Sequence, residues 1–304
     1  MEKHTAIKPT LFEKLWGGDR LAAYGKNVAE GANIGESWEL SFMPGAVSEE
    51  GGVPLDRKYG KEDFGTAAAA FSQFPVLTKF IDAADTLSVQ VHPTDDYARA
   101  HGYPSGKTEM WVVVDAAPGA GLYLGMKGTY TRAQVETAIG DGTLSDLLSF
   151  VPVKPGDVYF IPAGTVHAIG RGVLLYEIQQ SADLTYRMWD FNRRDKDGNL
   201  RPLHIESALD VAKLEPYKAP TFPTTDSSVV GMSDAFVTRI CKLNASEKTF
   251  SVDKTSYLML TALCGKGTVN GEKIQKGDTF FFPANTGDVR LCGTLTAVAV
   301  TTGK

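Results

Sequence analysis

Four short stretches carry the residue types that can do chemistry. Leu87–Asp95 reads LSVQVHPTD. In an extended strand, successive side chains alternate between faces, so Ser88, Gln90 and His92 share one face and Val89 and Val91 the other. A hydroxyl, an amide and an imidazole on one strand face need water or a site as partner. In GKTEMW, Lys107 and Glu109 stand two apart and share a face in the same way. GDVYFIPAGTVHAIG, residues 156–170, reads as strand, Pro-Ala-Gly turn, then His167 at the start of the next strand. Pro162 fixes φ, and Gly164 permits an unusual backbone angle, so the turn aims one imidazole back over a sheet. In LLYEIQQSADLTYRMWDFNRR, residues 174–194, Glu177 and Gln179 share a face, as do Asp183, Thr185 and Arg187. Charges on interior strands are costly unless paired, so this segment is either an exposed strand or one aimed at an anionic ligand.

The G-x5-P-x-G-x2-H pattern ending at His167 resembles the second motif of the cupin superfamily, small β-barrels that hold a metal inside. The first cupin motif usually supplies two histidines at i and i+2 and a glutamate. Here Gln90 and His92 stand in that place, with Glu109 following. Two imidazoles, a carboxylate and an amide oxygen suit a borderline divalent ion. Zinc takes such ligands at roughly 2.0–2.2 Å, and Mn, Fe or Co could also bind. Each residue alone has a plainer reading: His92 as a turn-flanking histidine, Glu109 as a solvated acid, Gln90 as an ordinary hydrogen-bonding amide, His167 as a turn cap. On strands with matching face parity, the ligand reading is favoured.

These groups need rigid elements to hold them. Short apolar runs recur between turn signals at 75–81, 86–91, 109–114, 121–124, 157–161, 173–178 and 184–189, as in barrels and sandwiches. Three stretches read as helical: 61–72, the segment after Thr131, whose capping box uses Gln134, and 204–214. GDVYFIPAG at 156–164 and GDTFFFPAN at 277–285 form a faint internal repeat. The second copy has no histidine after its Pro-Ala, so one metal site per chain is expected. The segment 215–227, EPYKAPTFPTTDS, reads as a linker. The expected fold is therefore mainly β: a bicupin of two jelly-roll-like β-barrels with a few helices in the first. Residues 1–214 form the catalytic domain and 215–304 a degenerate cupin-like one.

Composition narrows the partners. The 304 residues carry a formal net charge of -5 with no basic run, which disfavours a nucleic-acid partner. No apolar segment approaches the ~20 residues that cross a bilayer. The opening MEKHTAIKPTLFEK lacks the apolar core of a signal peptide. The three cysteines lie far apart, which argues against a disulfide framework or a thiolate metal site and for a reducing cytoplasm.

LSVQVHP, GKTEMW, GDVYFIPAGTVHAIG and EIQQSADLTYRMWDFNR, in this order, resemble the type I mannose-6-phosphate isomerase family in its short bacterial form. LFEKLWGGDRL and IGESWELS resemble its opening segments. The resemblance implies a zinc-dependent aldose–ketose isomerase that interconverts mannose 6-phosphate and fructose 6-phosphate through a cis-enediol. It implies Gln90, His92, Glu109 and His167 as metal ligands and Arg187 as the active-site arginine, with Glu177 and Asp183 at active-site positions. It places Lys79 and Ser88 at the phosphate, Lys107 nearby and Trp16 along the sugar pocket. The base is left open among Glu177, a metal-bound water, Lys107 and Asp183. Competing readings are another metal cupin enzyme, a dioxygenase or a cupin-type glucose-6-phosphate isomerase, and a non-catalytic sugar-phosphate-binding bicupin. Oligomeric state is not legible.

Overall fold

A computed structural model describes residues 4–195 and 197–303. The chain is mainly β, and three large sheets make its body. A five-stranded sheet runs in the order Leu148–Pro152, Gly121–Met126, His167–Ile169, Val89–Val91, Tyr186–Trp189. A six-stranded sheet runs Val158–Ile161, Glu109–Ala116, Val173–Gln180, Val76–Asp82, Ile34–Leu40, Thr10–Gly18. The third sheet comes from the C-terminal part. It orders Val229–Met232, Val237–Val252, Gly287–Thr301, Leu258–Val269, Glu272–Gln275, with Thr279–Phe282 also paired to Leu258–Val269.

The six-stranded N-terminal sheet lies in the middle, and strand alternation gives it two interiors. Val76–Asp82, Val173–Gln180 and Ile34–Leu40 are buried at each position. Val76, Phe80, Tyr176 and Ile178 join Met259, Phe281, Val298 and Val300 of the C-terminal sheet in one apolar cluster. Fully burying a side chain of this size stabilises by about 1.5–3 kcal/mol. The alternate positions, Ile81, Trp111 and Leu175, pack with Leu122, Leu124 and Ile169 of the five-stranded sheet. Lys79, Glu109 and Glu177 sit on that second face, between the two N-terminal sheets.

A polar seam crosses the boundary to the C-terminal sheet. Lys26 Nζ lies 2.7 Å from Glu39 Oε2 and donates to the carbonyl of Gly277 at 2.6 Å. Ser37 Oγ donates to Glu39 Oε1 at 2.6 Å and Thr279 Oγ1 to Oε2 at 3.3 Å. Burial raises the Glu39 pKa, and Lys26 opposes it.

The internal repeat is a repeat of turn geometry. Gly156 and Gly277 both take positive φ, 92° and 94°. The following acids close the turn alike: Asp157 accepts from the Lys154 amide at 3.0 Å and Asp278 from the Gln275 amide at 2.9 Å. After the Pro-Ala, Gly164 (φ 88°) is matched by Asn285 (φ 65°), asparagine being one of the few side chains that tolerate this region. The copies diverge in what they present. His167 pairs with Gln90 across its ladder, whereas Asp288 pairs with Ser251. Glu109 faces Ile161 across its ladder, whereas Leu258 faces Phe282.

The helix after Thr131 spans Arg132–Gly140 with its capping box in place, and the later one spans Ile205–Val211. The stretch 61–72 differs from the helix that its Ala run suggests. It forms two short 3-10 helices, Lys61–Phe64 and Thr66–Ala70, broken at Gly65 with φ 87°. A Cβ at Gly65 would meet the Thr255 carbonyl at 2.5 Å, so close packing on the C-terminal part sets the break. The Pro- and Thr-rich segment 215–227 is strapped onto the N-terminal sheets. The Glu215 carbonyl accepts from the Met126 amide at 3.1 Å, and Tyr217 Oη donates to the Phe160 carbonyl at 2.7 Å. No helix among the described residues is long and apolar enough to cross a membrane.

Candidate active site

Two histidines hang from the five-stranded sheet and one glutamate rises from the middle sheet to meet them. His92 Nε2 lies 3.3 Å from Glu109 Oε2, and His167 Nε2 lies 3.3 Å from Glu109 Oε1. All three residues are buried, at 1% exposure or less. Each imidazole is fixed by its other nitrogen. His92 Nδ1 contacts the Leu184 carbonyl at 2.9 Å and His167 Nδ1 the Thr165 carbonyl at 2.8 Å. A carbonyl only accepts, so Nδ1 carries the proton and Nε2 presents its lone pair to the centre. Burial, then the Lys107 charge, lowers the His92 pKa to about 3; burial lowers that of His167 too, so both rings are neutral.

Gln90 completes the group. Its Nε2 lies 3.2 Å from His167 Nε2, and turning the amide over presents the oxygen there instead. Ser88 Oγ lies 3.5 Å from Gln90 Oε1 and is buried. Ser88, Gln90 and His92 thus share the site face, with Val89 and Val91 in the apolar cluster behind.

This set fits a divalent ion on chemical grounds. His92, Glu109 and His167 each offer one ligand atom within 4.8 Å of the others. Neither buried Glu109 oxygen has a hydrogen-bond partner among the described residues. A buried carboxylate without hydrogen bonds is costly unless something charged takes them up. Burial alone would raise the Glu109 pKa, but the Lys107 charge opposes it most and the carboxyl is held well below the usual range, so it is a carboxylate.

Around this centre is a ring of buried charge. Lys107 Nζ lies 3.1 Å from Glu109 Oε2 and donates to His92 Nε2 at 3.2 Å. Glu177 Oε1 faces Lys79 at 3.3 Å and Lys107 at 3.9 Å. Burial and the nearby Glu109 charge raise the Glu177 pKa against the pull of Lys79 and Lys107. Burial disfavours the charge on Lys79, but Glu177 and Glu36 outweigh it and raise its pKa.

Other expected site residues lie at the margins. Arg187 pairs with Gln90 in register and is half-buried. Its Nη1 donates to the Pro202 carbonyl at 2.7 Å, while its buried Nε has no partner among the described residues. Asp183 is exposed on the turn before Leu184, and its charge bears on Lys79. Trp16 is 4% exposed and packs with Ile81 and Trp111 in the apolar layer beneath the ligands.

The structure adds Glu36, Trp38, Lys14 and Trp111. Glu36 Oε2 lies 3.5 Å from Lys14 and 4.0 Å from Lys79 and accepts from Trp38 Nε1 at 2.8 Å. Burial raises its pKa, but Lys79 and Lys14 prevail and lower it. IGESWELS did carry a signal: Glu36 and Glu39 fall on opposite faces of one strand, so acids on both faces mark a strand buried twice.

A cavity of about 610 Å³ lies away from this centre, in the C-terminal sheet, with Asp288, Arg290, Phe280 and Phe282 among its lining. Volume does not make it the catalytic site, because among the described residues no convergent ligand set lines it.

The chain is 38% identical over 293 residues, 91% of either chain, to a mannose-6-phosphate isomerase of Streptococcus mutans. It belongs to the mannose-6-phosphate isomerase family. A solved mannose 6-phosphate isomerase of Bacillus subtilis is 28% identical with a TM-score of 0.86, covering 98% of this chain and 99% of that one. A mannose 6-phosphate isomerase crystallised with zinc and yttrium, 17% identical, shares the fold at a TM-score of 0.76, over 99% of this chain and 100% of that one. No family model matches. For a mannose-6-phosphate isomerase family member, the meeting of His92, Glu109 and His167 between two sheets is the place to seek the chemistry.

Proposed function

We propose that this chain interconverts mannose 6-phosphate and fructose 6-phosphate, with Gln90, His92, Glu109 and His167 holding one zinc ion. The observation that carries the reading is the convergence of two neutral, pre-oriented imidazoles on a buried carboxylate that has Lys107 beside Oε2 and no hydrogen bond among the described residues. The nitrogen and oxygen donor set suits zinc, and the ion would act as a Lewis acid on the sugar carbonyl oxygen.

Charge supports the substrate class. Lys14, Lys79 and Lys107 are matched by Glu36, Glu109 and Glu177, three cations against three anions. A divalent ion would bring the site to +2, the complement of a phosphate dianion. Ser88 and Lys79 are the proposed phosphate contacts, as a hydroxyl donor and an ammonium with further donors to give.

The isomerisation moves a proton from C2 to C1 and another between O1 and O2. Glu177 takes the C2 proton as the cis-enediol forms and returns it at C1. Its raised pKa makes the carboxylate a stronger base toward a carbon-bound proton. Lys107 and Arg187 face the charge that develops on the sugar oxygens. Asp183 at the mouth adds its charge opposite Lys79, and Trp16 backs the sugar pocket. All these groups lie in 1–214, and the bicupin reading leaves 215–304 as a non-catalytic copy. A cytoplasmic location goes with it: Cys241, Cys264 and Cys292 are all free.

The test is a coupled assay on mannose 6-phosphate after chelation and again after zinc is restored. Turnover should vanish and return. Full turnover in protein shown by elemental analysis to be metal-free would overturn the reading.

A further inference from the structure

Trp111 forms the floor of the site. It is fully buried on Glu109–Ala116, two residues beyond Glu109 and on the same face. Its ring stands edge-on to His167, with centroids 5.3 Å apart at 73°. Around it lie Trp16, Leu122, Leu124 and Leu175. An apolar layer alone would be served by phenylalanine; an indole buried there must find a partner for its N–H. It finds Glu177, which it opposes in register, and donates from Nε1 to Oε2 at 3.1 Å. The other Glu177 oxygen, Oε1, has no hydrogen-bond partner among the described residues and faces Lys79 and Lys107.

We propose that Trp111 is the positioning residue for Glu177. Its N–H holds Oε2, which stops rotation of the carboxylate and leaves Oε1 as the oxygen presented to the substrate. A carboxylate free to turn would settle against Lys79 and Lys107 with either oxygen, and the base would be misaimed for part of the time. This inference rests on the reading that Glu177 works at the substrate.

The experiment compares zinc-loaded wild type with Trp111→Phe, Glu177→Gln and the double variant. Trp111→Phe should keep stoichiometric zinc and a KM within about twofold, and should lose about tenfold to a hundredfold in kcat, the scale of a hydrogen bond to a charged group. On the Glu177→Gln background the same substitution should change kcat by less than about twofold, because the group it serves is gone. Site-specific replacement of Trp111 by 3-benzothienylalanine, which keeps the shape and lacks the N–H, should reproduce the loss even where phenylalanine disturbs packing. Wild-type kcat in the benzothienyl protein, with Glu177→Gln still crippled, would overturn the proposal, as would an equal loss on both backgrounds. Wild-type kcat in Glu177→Gln would instead bring down the role of Glu177, and the proposal with it.

Discussion

Lys107 Nζ lies 3.1 Å from Glu109 Oε2, two residues away on the same strand face, and both side chains are buried. The ammonium thus shares its acceptor with the proposed metal ion. Two unit charges about 4 Å apart interact by about 4 kcal/mol at an effective dielectric of about 20, and the double charge of zinc doubles the repulsion. Lys107→Met should therefore tighten zinc binding, by about tenfold or more, while kcat falls by about 10²–10³. Calorimetric zinc titration and the coupled assay measure the two effects; weakened zinc binding would show that Lys107 supports the ligands rather than competing with them.

Zinc should stabilise the folded chain, because the four ligands meet only there. At a free concentration a hundredfold above Kd the gain is about 2.7 kcal/mol, or several degrees in melting temperature. His167→Ala and Glu109→Ala should melt at one temperature with or without zinc. An undiminished zinc shift in either variant would strike that residue from the ligand set.

Arg187 should be separable from both fold and metal. It is half-buried, and the one carbonyl it holds, that of Pro202, lies on the loop beyond its strand. Arg187→Ala should keep the zinc-dependent melting shift and lose about 10²–10³ in kcat, the size of a lost transition-state charge contact. Near-normal turnover would remove Arg187 from the catalytic groups.

Acid lability should trace in part to Glu50, far from the site. Burial would raise its pKa, but His4, Tyr59 and Lys58 outweigh this and lower it to about 2. Its folded pKa lies below the unfolded value near 4.3, so its stabilisation is complete above about pH 5 and fades as pH falls toward 2. The difference amounts to about 3 kcal/mol at neutral pH. In denaturant titrations Glu50→Gln should be less stable than wild type at pH 7, and the gap should narrow by about half at pH 3 and go on closing toward pH 2. A gap of constant size across that range would mean that packing, rather than charge, sets the cost.

How much was legible in the sequence depended on how local the signal was. Strand parity placed Ser88, Gln90 and His92 on one face, and the Pro-Ala-Gly turn aimed His167; both follow from the two-residue period and from backbone sterics within a few residues. The capping box at Thr131 was readable for the same reason. The Ala run at 61–72 was misleading, because the break at Gly65 is imposed by a carbonyl nearly two hundred residues downstream. Glu36 was missed as a site residue because its partners, Lys14 and Lys79, come from strands that only the sheet order brings alongside.

The sequence by itself determined which residues could ligate a metal and on which strand face each would stand, since those are properties of single segments. Only the tertiary structure decided that the faces of two separate sheets are opposed, so that Glu109 meets both histidines, and in what order the strands of one sheet lie, so that Glu177 meets Trp111 and three lysines offset three acids. Cross-sheet distance and burial arise from the packing of segments remote in the chain, and they, rather than residue type, set which charges are paired, which nitrogen is free and which oxygen is left without a partner.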